Sequence, residues 1–232
     1  MQNVSVHYSE STIAAEQQRF MMRVYNWMTA GLSVTAAVAY LIATSPGLVM
    51  AIANPWIMWP LFIAQLGLVV WLATRVMQMS AAQATAVFLL YSALTGVTLS
   101  FVFLAYTAAS LTSTFLVTAG TFGAMSFYGY TTKRDLTTYG SFLFMGLMGI
   151  IIASVVNFFL QSPMVYWLVT YAGVLIFVGL TAYDTQKIKE MNILGNEGTE
   201  EDTKEAVRGA LTLYLDFINL FLMLLRLMGN RR

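Results

Sequence analysis

The chain contains no cysteine and a single histidine, His7, among its 232 residues. Without cysteine it can form no disulfide, no thiolate metal site and no cysteine nucleophile. A metal centre or acid–base site built on histidine would need a partner that the chain does not supply. We therefore predict that His7 is a solvated residue of the N-terminal tail, and we expect no cofactor.

Charge is also scarce. Only 10% of the residues are charged and 58% are hydrophobic, whereas soluble domains carry about 25% charged residues. The mean hydropathy is +0.69, so the composition predicts a membrane protein whose main surroundings are the lipid bilayer. The net charge of +1 creates no basic field, and no nucleic-acid partner is expected.

Long apolar runs of the length that a transmembrane helix needs, about 20 residues, recur along the chain. None of them alternates as membrane-spanning strands do. The sequence therefore predicts an all-α, polytopic membrane protein with seven spans, at 24–43, 56–74, 84–106, 114–130, 141–160, 165–183 and 211–228. The last run is short and contains Asp216 and Asn219, so the alternative that it turns back without crossing stays open, and with it the side of the C-terminus.

The domain organisation follows from these runs. Residues 1–20 are predicted to be a polar N-terminal tail, and residues 21–232 a single transmembrane domain with a polar loop at 186–209. The tail is too long and too mixed for a cleaved signal peptide, so the first span is expected to be retained. The acidic loop is interpreted as a solvated connection, with a cation-binding or partner-binding patch as the alternative.

Basic residues are distributed unevenly between the connections. Nine of them lie in the N-terminal tail and in the connections after spans two, four and six, and none lies in the connections after spans one, three and five. Because lysine and arginine in short loops favour the cytoplasmic side, we predict a cytoplasmic N-terminus.

Small residues indicate close helix packing. Ser92, Gly96 and Ser100 recur every four residues in the third span, and Gly120 and Gly123 share one side of the fourth. Small side chains let helix backbones approach each other inside a bilayer. Architecture is the plainer interpretation, and a pore lining is the alternative.

Two acids lie inside or at the edge of apolar runs, Asp184 and Asp216. A charged side chain at the bilayer centre costs at least about 2.5 kcal/mol, and such residues usually face the protein interior or a water-filled cavity. Helical spacing favours two polar stripes that could face each other. They comprise Thr212, Asp216 and Asn219 on the last span, and Thr181, Asp184 and Thr185 on the sixth.

Two nearby carboxylates cannot both ionise at low cost, so such a pair would share a proton. Loss of that proton would leave two negative charges that attract a hard cation such as calcium, whose preferred ligands are carboxylate oxygens. The hypothesis is a proton-gated cation site at Asp184 and Asp216. The alternative is a pair of capping or interhelical hydrogen bonds without a transport role. Arg75 is the nearest candidate cation, although an interfacial anchor is its plainer interpretation.

Three segments carry a family resemblance: Gly179–Lys189 (GLTAYDTQKIK), Leu211–Arg232 (LTLYLDFINLFLMLLRLMGNRR) and Tyr128–Leu136 (YGYTTKRDL). They resemble the transmembrane Bax inhibitor motif family, and most of all its bacterial inner-membrane members. The resemblance covers the chain from about Phe20 to its end, and the YLDFINLF segment with an upstream YD is fairly specific.

The resemblance implies a fold in which six helices wrap a central seventh, and a pH-sensitive calcium leak across the bacterial inner membrane, with no enzymatic activity. The aspartates implicated in the family match Asp184 in TAYD and Asp216 in YLDF. An arginine near the end of the second helix holds the closed pair in a bacterial relative of this family, and Arg75 lies close to that place, so Arg75 is the candidate latch. The same relative has a glutamate in its second helix, where this chain has Gln65.

Two other functional classes stay open. One is a non-transporting regulator that binds a membrane protease or another membrane protein, a role that the resemblance to bacterial relatives also implies. The remote alternative is an intramembrane aspartyl protease, because Tyr183-Asp184 matches its YD motif. Such proteases need a second aspartate in a glycine-rich GxGD-type segment, whereas Asp216 sits in Tyr-Leu-Asp-Phe.

Overall fold

The computed structural model describes residues 9–232, so the predicted tail residue His7 lies outside the described part. Within that part the chain is almost entirely helical and forms no sheet. The elements are α1 (Glu10–Ala43), α2 (Pro46–Ala53), α3 (Pro55–Arg75), a short 3-10 turn (Val76–Gln78), α4 (Ala81–Ala105), α5 (Ala108–Thr131), α6 (Thr137–Leu160), α7 (Pro163–Met191) and α8 (Glu200–Met228).

Six of these helices are long and apolar enough to cross a membrane. The seventh long helix, α5, has 24 residues, but serine and threonine recur along it and lower its hydropathy. The predicted all-α polytopic class is therefore confirmed, with seven long helices where the apolar runs predict seven spans. The small helix α2 was not predicted, and it fills the connection between α1 and α3.

Local sequence signals fix the helix boundaries. Proline occupies the first position of α2, α3 and α7, where its missing N–H has no helical partner to lose. A capping box starts α4, since the Ser80 hydroxyl accepts from the Gln83 backbone N–H and the Gln83 side chain accepts from the Ser80 N–H. Gln161 ends α6 in the left-handed region, at φ 50°.

The C-terminal helix α8 lies at the centre of the bundle. It packs against α1, α4, α5 and α7, while α3 packs on α4 and α6 packs on α7. The Tyr214 ring of α8 is fully buried and meets the rings of Phe88 and Tyr91 edge-to-face, with centroids 5.8 and 6.0 Å away. The predicted central position of the last helix is confirmed.

Small residues bring neighbouring helices together, as predicted for the third span. A Cβ on Gly96 of α4 would lie 2.6 Å from the Thr35 carbonyl oxygen of α1, so a side chain there has no room. The expectation for Gly120 and Gly123 of α5 is wrong, because nothing lies within 4 Å of a Cβ at either position. The close approach of α5 is made instead at Gly129, whose Cα faces the backbone of Ala182 in α7.

The two ends of the bundle are distinguished by their contacts. At one end, Arg19 of α1 reaches Glu197 in the connection between α7 and α8. At the other, Tyr106 and Arg231 form an antiparallel bridge, which joins the α4–α5 connection to the C-terminus. Since α8 runs unbroken between these ends, the last helix crosses the bundle and does not turn back.

Two predicted boundaries need correction. Helix α1 begins at Glu10, within the segment predicted to be a polar tail, because the Ser9 side chain caps its first turn. The polar segment 186–209 is mostly helical, and only residues 192–199 lie between α7 and α8. Acidic residues at the start of α8 favour helix there, since they lie beside the positive end of the helix dipole.

An ion-pair network ties α1 to this short connection. The Arg19 Nε donates to Glu197 at 2.7 Å, and the Arg23 Nη2 donates to Asp202 at 2.9 Å. The Glu16 carboxylate also accepts from the Gly195 backbone N–H at 2.8 Å. We call Arg19, Arg23, Glu197 and Asp202 the α1–loop clasp.

Candidate functional site

A cavity of about 780 Å³ lies between α6, α7 and α8, and both Asp184 and Asp216 line it. Its α6 wall is apolar apart from Ser141 and Ser154. The central helix supplies the floor and α7 supplies one side. The two aspartates singled out in the sequence are therefore neighbours in one cavity.

Helical periodicity places the polar stripe of α8 in this cavity. Thr212, Asp216 and Asn219 all line it, because residues three and four apart share a helix face. The Asn219 amide donates to the Leu215 carbonyl at 2.8 Å, so its side-chain oxygen is left as an acceptor. The opposite face of α8 carries Tyr214, which packs into the core.

Asp184 of α7 and Asp216 of α8 face the same cavity from neighbouring helices. Asp216 is buried, at 5% exposure, and its Oδ2 is enclosed without a hydrogen-bond partner in residues 9–232. Two carboxyl oxygens can make a hydrogen bond to each other only if one of them carries a proton. A proton shared between Asp184 and Asp216 therefore stays a proposal.

Lys187 and Tyr183 complete the α7 side of the cavity. Lys187 follows Asp184 by three residues, and its Nζ lies 5.6 Å from the centre of the Tyr183 ring. It is exposed and lies at the same end of the bundle as the α1–loop clasp. This end of the cavity therefore combines the two aspartates with one exposed positive charge.

Two further residues of the predicted α7 stripe lie elsewhere. Thr181 is buried and donates to the Phe177 carbonyl at 2.7 Å, and it does not line the cavity. Thr185 turns toward α5, where its hydroxyl lies 2.9 Å from that of Ser126. They differ from Asp184 because α7 is packed on both sides, against α6 on one and α5 on the other.

The structure does not bring Arg75 to the carboxyl pair. Its side chain is exposed, and its Nη1 donates to the Gln78 side chain at 2.6 Å. Arg75 is absent from the cavity lining. Its role as a latch therefore stays a proposal.

Gln65 joins α3 to α4. Its Nε2 donates to the Thr95 hydroxyl at 3.1 Å, while its Oε1 is enclosed without a partner in the described part of the chain. Gln65 thus belongs to a hydrogen-bonded cluster on the opposite side of α8 from the carboxyl pair. Thr35 extends this cluster, since its hydroxyl lies 2.7 Å from that of Tyr214.

The capacity of the cavity for a metal ion is limited. No group of three or more acidic or histidine side chains suited to a metal is found among residues 9–232. A hard cation at this place would have two carboxylates as its only charged ligands, with Asn219 and Thr212 as neutral oxygen donors on the same stripe.

Sequence reasoning missed Lys187, Tyr183, Ser141 and Ser154 as residues of the cavity. Lys187 carried a usable signal, because its spacing of three from Asp184 places it on the same face of α7. The serines of α6 carried none, since single serines are common in transmembrane helices and only the packing of α6 on α7 places them here.

Fold and site together define a polytopic helical membrane protein with a carboxyl pair beside its central helix. The family model described as inhibitor of apoptosis-promoting Bax1 matches residues 17–232, and the chain belongs to this Bax inhibitor family. This confirms the resemblance found in its motifs.

Similar proteins occur in distant bacteria. The inner membrane protein YbhL of Escherichia coli is 56% identical over 217 residues, which cover 93% of each chain. An uncharacterized protein of Borreliella burgdorferi is 48% identical over 93% of this chain and 94% of its own. One from Deinococcus radiodurans is 44% identical over 97% of this chain and 98% of its own. The long apolar helices and the likeness to an inner membrane protein support a multi-pass protein of the inner membrane.

Proposed function

We propose that this protein is a pH-sensitive leak pathway for cations, with calcium as the transported ion, and that the proton shared by Asp184 and Asp216 controls it. The observation that carries the proposal is that Asp184 and Asp216 line one cavity beside the central helix. The protein is proposed to be non-enzymatic, with its N-terminus in the cytoplasm.

The shared proton holds α7 and α8 together. Its loss creates two negative charges in a region of low dielectric, where repulsion between them is stronger than in water. The carboxylates then separate or take up a hard cation, and either event alters the packing of α7 on α8. Lys187, at the mouth of the cavity, offers a counter-charge that a calcium ion would displace.

The shape of the cavity indicates how a leak would be completed. Its α6 lining extends from Gly140 to Val155, a rise of roughly 22 Å along a helix, while the hydrocarbon core is about 30 Å thick. The lining at the far end consists of Ile151, Val155 and Met223 together with Ser154, whose hydroxyl donates to the Ile150 carbonyl. A cation would pass only when these apolar side chains part, so this end is the proposed barrier.

Calcium flux into proteoliposomes tests the proposal. We expect the wild-type flux to rise between about pH 6 and pH 8, on the order of the range in which a carboxyl group with a raised pKa titrates. Asp184→Asn and Asp216→Asn are each expected to flatten this response. Asp135→Asn is the matched control, because its carboxylate accepts from the Thr137 N–H in an exposed connection, away from the pair. Equal flux in empty vesicles, or an unaltered pH profile in both variants, would contradict the proposal.

The candidate latch is tested in the same vesicles. If Arg75 engages the carboxyl pair in another state of the protein, Arg75→Ala should raise the leak at low pH. An unchanged leak would mean that Arg75 serves only as an interfacial anchor, hydrogen-bonded to Gln78. Absent flux together with a captured membrane protein would favour the regulator hypothesis instead.

An aspartyl protease is not favoured by the local structure. Such an enzyme must open the backbone around its aspartate to admit a peptide, whereas α8 continues as a regular helix through Asp216. The pair is held instead between helices that pack closely on each other.

A further inference from the structure

A second cavity, of about 380 Å³, lies between α5, α6 and α7 at the same end of the bundle as Lys187. Its walls are mostly apolar and include Met125, Leu136, Phe142 and Leu143. Tyr128, Tyr139 and Tyr183 also line it, and Arg134 lies at its edge. An apolar chamber with aromatic residues and one cation differs from the carboxyl cavity in both shape and chemistry.

The Arg134 guanidinium is available to a ligand. Its backbone is fixed because the Gln186 side chain donates to the Arg134 carbonyl at 2.8 Å and accepts from the Leu136 N–H at 2.9 Å. Its side chain is exposed and makes no hydrogen bond or ion pair within residues 9–232. The connection between α5 and α6 is therefore held in place. The Arg134 guanidinium within it has no hydrogen-bonding partner among residues 9–232.

Cations predominate around this cavity. Lys133 and Arg134 precede α6, and Lys187 lies on α7 beside the Tyr183 ring. The carboxylate next to them, Asp135, accepts from the Thr137 N–H at 2.8 Å, and the Thr137 side chain, together with this N–H, lowers the pKa of Asp135. Asp135 therefore stays ionised and weakens the positive field without cancelling it.

We propose that this cavity binds an anionic phospholipid of the surrounding leaflet. The phosphate pairs with Arg134 and Lys133, and an acyl chain enters between Met125, Phe142 and Leu143. Basic pockets between transmembrane helices at the cytoplasmic side are suited to anionic headgroups, and tyrosines at the interface suit the boundary between headgroup and chain. The charge and the apolar lining are adjacent, as a phospholipid requires and a free phosphate does not.

Tyr183 gives this lipid site a connection to the carboxyl pair. It lines both cavities, and its ring lies directly against Gly140. It also precedes Asp184 in α7. An acyl chain in the lipid cavity would therefore contact the Tyr183 side chain, which is next to Asp184 in the sequence.

Native mass spectrometry of the detergent-purified full-length chain tests the proposal. Phosphatidylglycerol is titrated against phosphatidylcholine with the same acyl chains, and we expect more retained phosphatidylglycerol. Arg134→Gln should lower that retention about fivefold, the effect of one basic residue near a lipid surface. Arg208→Gln is the matched control, since Arg208 is an exposed arginine near the same end that does not line the cavity. Equal retention of the two lipids, or equal loss in both variants, would overturn the proposal.

A variant whose larger side chain fills the cavity provides an independent test. Met125→Trp places a larger side chain at a half-buried lining position and should reduce phospholipid retention while Arg134 is intact. Inorganic phosphate at millimolar concentration should leave the bound phosphatidylglycerol in place. Displacement by phosphate alone, or full retention in the Met125→Trp variant, would show that no acyl chain occupies the cavity.

Discussion

The ring of Tyr183 in α7 lies directly on Gly140 at the start of α6, so that no Cβ could be accommodated at Gly140 without moving the ring. This contact separates the carboxyl cavity from the apolar cavity beside it, because Tyr183 lines both. Glycine at this position therefore determines where the wall between the two cavities stands.

Gly140→Ala is expected to force the Tyr183 ring aside and to lower the free energy of unfolding by about 1–3 kcal/mol, as other overpacked sites do. Gly149→Ala in the same helix is the control, since nothing lies within 4 Å of its Cβ position. That change should leave stability equal or higher, because alanine favours helix over glycine. Thermal unfolding in detergent measures both, and equal melting temperatures would contradict the packing at Gly140.

The α1–loop clasp should depend more on its buried carboxylate than on its exposed one. Asp202 is 3% exposed at its side chain and accepts from both Arg23 and the Gly198 N–H. Asp202→Asn turns one acceptor into a donor that faces another donor, at a cost of about 1–3 kcal/mol. Glu197→Gln, at a side chain that is 37% exposed, should cost less because water replaces the lost partner. The reverse order of melting temperatures would be inconsistent with this arrangement.

The clasp should persist through the pH range in which the leak is proposed to change. The hydrogen bond from Arg19 lowers the pKa of Glu197. A carboxyl group with a depressed pKa contributes stability above its unfolded pKa, and this contribution is lost as the pH falls through the folded value. The clasp is therefore intact from pH 8 to pH 6 and weakens only in acid below the ordinary glutamate range.

Spin labels provide the measurement, because the chain has no native cysteine to remove. Cysteines introduced at Gln17 and Asn196 would report the distance between α1 and the connection after α7. We expect a constant distance between pH 8 and pH 6, and a longer one in acid. A distance that changes together with the flux would assign the pH response to the clasp and not to the carboxyl pair.

The hydrogen bond between Gln65 and Thr95 joins α3 to the rest of the bundle at 3.1 Å. A double-mutant cycle with Gln65→Leu and Thr95→Val should give a coupling energy of about 0.6 kcal/mol, the average for such bonds inside membranes. Thermal unfolding of the four proteins supplies the cycle. Additive effects would mean that the bond does not hold α3 in place.

Much of the fold could be predicted from the sequence, because apolar runs of membrane length are a strong one-dimensional signal. The runs locate every long helix, and the stripe at Thr212, Asp216 and Asn219 indicates which face of α8 is polar. Helix ends were less predictable. The polar turns that extend α7 and α8 beyond the apolar runs are stabilised by capping at Thr199 and by the clasp, and these depend on tertiary contacts.

The candidate site was predicted in part. The pair of aspartates could be predicted because each lies in an apolar run and one connection joins the two runs. The positions of Thr181 and Thr185 could not, since these side chains turn away from the cavity where α7 also packs on α5. Gly120 and Gly123 show the same limit. Their spacing is right for close packing, but the neighbouring backbone lies at Gly129 instead. Spacing defines a face, and only the packing of other helices decides what that face meets.

The central claim is that Asp184 and Asp216 hold one proton between them, and infrared difference spectroscopy of the reconstituted protein tests it most directly. At neutral pH we expect the band of a protonated carboxyl group, which disappears as the pH is raised and is absent or shifted in both Asp184→Asn and Asp216→Asn. A spectrum without a protonated carboxyl group at neutral pH, or a band that both variants retain unchanged, would contradict the claim.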